Sequence, residues 1–351
     1  MVILYILVAV LIFGIIILIH EFGHFAVAKA CDIKVNEFAI GMGPKIFSFG
    51  KGETKFSLRA IPMGGYVSME GEDEESADPR AFNRKKVWQR LLVVLAGAAM
   101  NLILGFVILI IVTSFSDAIV TTQIAKFATE DALSHATGLE IGDEIIRVNG
   151  MKIYCDTDIS YQFQTDEDLT FEMVVNRNGE KVTLPAVQFE STEYEDGTRS
   201  LHIDFIVVGE KVNPLTVIEY SSKKFVSVAR MIWLSLRDLL TGKYGLNDLS
   251  GPVGIVGAIG DVVGSTQHGV PFADMLANLA SFVVFITINV GIFNLLPVPA
   301  LDGSRAVFLI IEGIRRKPLK PQVEGMIHMI GMLLLIGLMI VVTISDIFKL
   351  F

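Results

Sequence analysis

VILYILVAVLIFGIIILIHEFGHFAVAKA, residues Val2–Ala30, is the stretch that decides the fold. Val2–Ile19 carries no charge, and its length is close to the roughly 20 residues a helix needs to cross the hydrocarbon core of a bilayer. His20-Glu21-Phe22-Gly23-His24 follows without a break. On a helix, residues four apart project from one face, so both imidazoles can bind one zinc ion while Glu21 stays free as a base. A helix-end His-Glu pair also serves as an interfacial anchor, and the pentad alone is a moderate signal. Its placement adds weight: ionisable residues continuing an apolar span are costly unless they pair or bind something. A cleaved signal peptide fits poorly, because no basic residue precedes the run and no small-residue cleavage site follows it.

The whole chain reads as a membrane protein. Hydrophobic residues make up 52% of it, beyond the usual range for a soluble protein of this size. Three further runs are long enough to cross: Leu91–Thr113, Leu276–Leu296 and Met326–Ile344. Phe225–Leu240 is interrupted by Arg230 and Arg237 and keeps apolar residues at helical spacing, which predicts an amphipathic helix lying on a surface. Lysines and arginines cluster between spans one and two and between spans three and four, Arg315, Arg316, Lys317 and Lys320 among the latter. By the positive-inside rule those loops are cytoplasmic, and the large segment between spans two and three lies outside. The middle of that segment is acidic, and the chain's net charge is −9, which argues against nucleic acid as a partner. Cys31 and Cys155 fall on opposite sides of the membrane in this topology and belong to no metal-binding spacing.

A second constellation closes the third span: Asn289-Val-Gly-Ile-Phe-Asn294-Leu-Leu-Pro297-Val-Pro299-Ala-Leu-Asp302-Gly303. Two prolines one residue apart cannot continue a helix, so the chain breaks into an extended loop carrying Asp302. Two histidines and one carboxylate form a known catalytic zinc set. Asp302 is therefore a candidate third ligand, and the alternative is an N-cap for a helix over Ser304–Ile314.

These motifs, in this order, resemble the bacterial site-2 proteases, the zinc intramembrane proteases, in the branch of the regulator of sigma-E protease. The resemblance rests on HEFGH in the first span, Leu95-Ala-Gly97-Ala-Ala-Met-Asn101 in the second, Leu249-Ser-Gly-Pro-Val-Gly254, and Asn294-Leu-Leu-Pro-Val-Pro-Ala-Leu-Asp302-Gly. It implies His20, His24 and Asp302 as zinc ligands, Glu21 as the catalytic base and Asn294 as a substrate-binding residue. Ala98 stands where many relatives have proline, and the outer region has room for one PDZ domain where some have two. Gly97 and Asn101 read foremost as packing residues, since small residues let helices approach. His135, His202, His268 and His328 fall outside the inferred site.

Gly138-Leu-Glu-Ile-Gly142-Asp143-Glu-Ile-Ile-Arg-Val-Asn149-Gly150 gives a glycine-bounded turn, an alternating strand and an Asn-Gly turn, and it resembles a PDZ signature. Phe171–Asn176 and Lys181–Leu184 predict a hairpin, and the PDZ-like domain is placed at residues 121–208. Nearer the first span, Lys45–Phe49 and Thr54–Ala60 read as short strands of a hairpin that either enters the membrane facing the active site or stays in the cytoplasm.

The expected architecture is thus a polytopic α-helical membrane protein. It has about four transmembrane helices, a membrane-associated β-hairpin and one extracytoplasmic PDZ-like β-rich domain. Its segments are a first helix with HExxH (1–30), a hairpin region (31–90), a second helix (91–113), the PDZ-like domain (121–208), and an amphipathic helix with a linker (214–260). The third helix with its Asn/Pro/Asp motif (276–303) and a fourth helix (326–344) complete the chain. The expected activity is a zinc-dependent intramembrane endopeptidase in the bacterial cytoplasmic membrane. Its partners are the lipid bilayer and single-span membrane proteins, such as anti-sigma factors or signal-peptide remnants, and the active site faces the cytoplasmic side. The alternative is a non-proteolytic zinc-binding scaffold that uses its PDZ domain. A zinc transporter fits less well, because no internal repeat is evident. Substrate identity and oligomeric state are not written in these motifs.

Overall fold

The computed structural model describes residues 2–72, 74, 76–166, 168–193, 199–245, 248–317 and 321–349. Lys320 and residues 194–198 of the expected β domain lie outside that set. The chain divides into two compact units, residues 1–108 with 235–351, and residues 109–234.

In the first unit, α1 (Val2–Ala30) runs unbroken through the HEFGH pentad. It is one of four helices among the described residues that are long and apolar enough to cross a membrane. The others are α2 (Val87–Ser114), α7 (Phe272–Asn294) and α9 (Pro321–Phe348). α2 and α9 extend beyond their predicted spans at both ends, because flanking residues such as Gln89 and Arg90 continue the helical hydrogen bonding past the apolar run, whereas α7 starts four residues earlier than expected and stops two residues short, at Asn294. Many large apolar side chains on these helices stay exposed in the chain itself, which suits surfaces solvated by lipid.

Between α1 and α2 the chain forms β1 (Val35–Phe49) and β2 (Lys55–Met69), an antiparallel two-stranded ribbon far longer than the two short strands expected. Gly41, Gly43 and Gly64, all with positive φ, and several register shifts let the ribbon bend where a regular strand would end. Its root is buried. Val35, Phe38, Val67 and Met69 pack with Ala28, Phe82, Val93, Val94, Ala306 and Leu309 into one core. A polar knot fixes the two strands: Tyr66 Oη donates to Glu37 Oε2 at 2.8 Å, Arg59 Nη2 to Glu37 Oε1 at 3.2 Å and Arg59 Nη1 to the Gly43 carbonyl at 2.8 Å. Burial alone would raise the Glu37 carboxyl, but hydrogen bonds from Ser57, Tyr66 and Arg59 outweigh it and hold the group at about 2.

The segment ahead of the third span, expected as linker, folds into α6 (Pro252–Gly264). Pro252 at its first position starts it, and Ile259 packs with Ala9, Ile12, Ile16 and Ile286 of α1 and α7. After α7 the chain breaks over residues 295–301, where Ala300 takes a left-handed φ of 77°. That conformation costs a residue with a side chain about 1–2 kcal/mol. Then α8 (Asp302–Arg315) begins, and an ion pair between Arg90 and Glu312 ties it to α2.

The second unit is a β domain. Its sheet runs β10 (Phe205–Glu210), β3 (Ile119–Phe127), β4 (Glu144–Val148), β6 (Thr170–Arg177) and β7 (Glu180–Gln188), all antiparallel. The short β5 (Met151–Lys152) adds to β4, and β8 (Glu190–Glu193) pairs with β9 (Arg199–His202). Two short helices, α3 (Leu133–Ala136) and α4 (Asp156–Thr165), accompany the sheet around a core that includes Leu139, Ile145, Val148, Phe163, Phe171 and Val175. Asp143 is fully buried and holds the Arg177 guanidinium through two contacts of 2.8 Å. The amphipathic helix is α5 (Pro214–Leu240), longer than expected. Its Tyr220 donates to Asp156 at 2.8 Å, and Ser227 donates to the buried Asp158, which also pairs with Arg230.

Candidate metal centre

One turn of α1 separates His20 from His24, so the helix alone brings their imidazoles together, with Nε2 atoms 3.2 Å apart. The first residue of α8 supplies the third atom. Asp302 Oδ2 lies 3.1 Å from His20 Nε2 and 3.4 Å from His24 Nε2. His20, His24 and Asp302 form the one group of three or more potential ligands among the described residues.

The triangle has the dimensions of a metal site. Two bonds of about 2.0–2.1 Å meeting at a tetrahedral angle place their donor atoms ~3.3 Å apart, which matches all three separations. Proton accounting agrees. His24 Nδ1 donates to the Val93 carbonyl at 2.8 Å, and a neutral imidazole with its proton on Nδ1 presents a lone pair at Nε2. Asn101, fully buried on α2, has its side-chain amide 3.3 Å from His20 Nδ1. With Nε2 turned to a metal, His20 Nδ1 carries the proton, so Asn101 must offer its carbonyl oxygen; the two orientations of an amide are interchangeable in shape. Asp302 Oδ2 is buried and accepts no hydrogen bond. The site thus fits a zinc ion.

The second span is cut to this shape. A Cβ on Gly97 would lie 2.3 Å from His24 Nε2 and 2.7 Å from His20 Nε2, and a Cβ on Gly23 would lie 2.4 Å from the Ala96 carbonyl. Small residues on both helices let α1 and α2 close until the imidazoles press on the α2 backbone. Gly97 and Asn101 are packing residues, as their type suggests. Their packing partners are the imidazoles themselves.

A cavity of about 170 Å³ opens beside the triangle, lined by His20, Glu21, His24, Asp302, Arg305, Glu72 and the β2 residues Gly65, Tyr66 and Val67. Glu21 lies against the strand: a Cβ on Gly65 would sit 2.9 Å from Glu21 Cγ. Among the described residues β2 has β1 as its only strand neighbour, so its other edge carries no strand. Asn294 is the last residue of α7, half-buried, and is not among the residues lining this cavity. His328, read as remote, receives a hydrogen bond of 3.2 Å from the Ala300 amide and so supports the loop that carries Asp302. Glu72 and Arg305 were not singled out; the signal for Arg305 was its position three residues after Asp302, on the same helix face.

Comparison with known proteins gives the same answer over nearly the full length. The sequence model of peptidase family M50 matches residues 8–338. A Clostridium acetobutylicum protein that carries the provisional name zinc metalloprotease is 37% identical, with 97% of each chain covered. The regulator of sigma-W protease RasP of Bacillus subtilis is 30% identical over 97% of this chain and 98% of its own. That alignment runs over 423 positions, more than the 351 residues present here, so RasP carries extra segments. RasP of Bacillus licheniformis, named a zinc metalloprotease, is 31% identical with 97% and 98% covered. The chain belongs to peptidase family M50 and is a membrane metalloprotease.

Proposed function

We infer that this chain is an intramembrane endopeptidase of the site-2 protease type, cutting single-span membrane proteins within or near their transmembrane segments. Anti-sigma factors and signal-peptide remnants are the candidate substrates. Its cofactor is zinc, held by His20, His24 and Asp302. The observation that carries this reading is the donor triangle at the end of an apolar helix, beside a cavity lined by a strand.

Zinc held by His20, His24 and Asp302 would supply Lewis acidity, making a water more acidic and a carbonyl more electrophilic. Glu21 is the general base: it takes the proton from the attacking water and delivers it to the departing amide nitrogen. Gly97 and Val93 hold the His24 ring, and Asn101 holds His20. A transmembrane substrate hides its peptide bonds inside its own helix. Unwound, such a segment can add to the open edge of β2, which presents the scissile carbonyl beside Glu21. Asn294, outside the cavity lining, serves the substrate further along the α7 end.

The β domain is read as a single PDZ-like domain on the outer face, with the metal centre toward the cytoplasmic side of a bacterial membrane. The turn Gly138–Gly142, the Asn149-Gly150 turn and α4 support the PDZ-like reading, and the lysines and arginines clustered in the other loops support the sidedness. Reconstitution of the purified chain with a single-span substrate, followed by mass spectrometry of the products, tests the activity. New termini inside the apolar segment, absent with Glu21→Gln, are expected; cleavage confined to soluble segments would overturn it.

A further inference from the structure

Attack on a peptide carbonyl moves negative charge onto its oxygen, and a donor aimed at that oxygen is commonly the largest single source of acceleration. The residues lining the cavity limit the choice of donor. Apart from the two imidazoles, Arg305 is the one cationic side chain that lines it among the described residues. Tyr66 also lines the cavity, but its hydroxyl is engaged by Glu37 and Arg59 in the knot of the ribbon.

Arg305 is well placed. It stands three residues after Asp302, so α8 carries both side chains on one face, less than one turn apart. Its Nη1 is paired with Glu72 Oε1, and its Nε lies 3.9 Å from Glu324 Oε1 on α9. The Glu72 side chain is 11% exposed, and its other oxygen lies 3.4 Å from the Met69 amide at the end of β2. The guanidinium is thus anchored to the strand that would align the substrate, at the mouth shared by this cavity and a neighbouring one of about 390 Å³. A planar group with five donors can keep its pairing with Glu72 and still direct an N–H into the cavity.

We propose that Arg305 is a catalytic residue that donates to the oxygen of the scissile carbonyl, with Glu72 as its positioning residue. The proposal rests on the assignment of Glu21 and the ligand triad above. In the addition step the water oxygen bonds to the carbonyl carbon, the carbonyl π pair moves onto oxygen facing Arg305, and Glu21 takes the water's proton. In the breakdown step that pair returns, the C–N bond breaks, and Glu21 gives its proton to nitrogen. Arg305 neither gains nor loses a proton, so its contribution is to stabilise charge.

The test is steady-state cleavage of a transmembrane substrate by full-length enzyme in detergent, together with zinc content and affinity for a phosphinate peptide that mimics the tetrahedral carbon. Arg305→Ala should lower kcat by about 10²–10³ with KM within ~3-fold and zinc retained. Phosphinate affinity should fall in parallel with kcat/KM, while substrate affinity measured in the Glu21→Gln background stays unchanged. Arg305→Lys, which keeps the charge and spares the fold, should recover part of kcat; Glu72→Gln should give a smaller loss. If Arg305→Ala changes kcat less than ~5-fold, or leaves phosphinate affinity intact, the proposal fails. It also fails if Glu324→Gln reproduces the whole effect, since Arg305 is then a clamp on α9. In each of these failures zinc binding and Glu21-dependent cleavage by the wild type stand untouched.

Discussion

Gly97 of α2 touches His24 of α1 so closely that a single methyl at position 97 would lie 2.3 Å from the imidazole Nε2. A backbone surface, with no side chain, forms the floor of the proposed metal centre. Gly97→Ala should therefore displace both imidazoles and lower zinc affinity by more than ~100-fold while the chain still inserts and folds. Asn101→Ala removes an orienting partner only, and the expected loss is about 10–100-fold. Zinc competition against a chelator of known affinity measures both, and unchanged affinity in Gly97→Ala would show that the helices are not packed this way.

The strand behind Glu21, the proposed base, gives a second expectation. A Cβ on Gly65 would press on Glu21 Cγ and on the Ala39 carbonyl, each at 2.9 Å. Gly65→Ala should keep full zinc and lose about 10–100-fold in turnover, because a displacement near 1 Å at a reacting group costs rates of that order. Measured together, zinc content and kcat separate this effect from a damaged metal site.

Much of this centre is legible in the sequence. The His20–Glu21–His24 spacing encodes its own geometry, because one helix turn delivers both rings to one face. Asp302 is harder, since its approach depends on α8 being tied to α2 through Arg90 and Glu312 and through Val93, Val94, Ala306 and Leu309. Asn101 and Gly97 carried a signal of close packing, but what they pack against is a tertiary fact that helical spacing cannot supply. The ribbon was underestimated because glycines that usually end strands here bend one, and α6 was missed because its 13 residues contain four glycines.

In the β domain, Asp143 is fully buried and its carboxylate is paired with the Arg177 guanidinium. Arg177→Ala leaves an uncompensated carboxylate and should destabilise the domain by about 3–5 kcal/mol, whereas Asp143→Asn with Arg177→Met should recover most of that loss. Limited proteolysis of the full-length variants across a urea series reports the local transition. Equal protease resistance in wild type and Arg177→Ala would contradict the assignment.

Sidedness is open to direct labelling. With Cys31 and Cys155 replaced, single cysteines at Glu74 and Arg316 should be shielded from an impermeant thiol reagent in intact cells, and one at Lys181 should react. All three positions are exposed on the chain itself, so lack of reaction reports the membrane barrier. Labelling at Glu74 before lysis would reverse the orientation.

Zinc content and turnover measured on the same purified preparations of wild type, Glu21→Gln and Asp302→Ala bear most directly on the metal centre. One zinc per chain is expected in the wild type and in Glu21→Gln, with turnover in the latter reduced by orders of magnitude, and Asp302→Ala should lose both metal and activity. Full zinc occupancy in Asp302→Ala, or wild-type turnover in Glu21→Gln, would contradict the account.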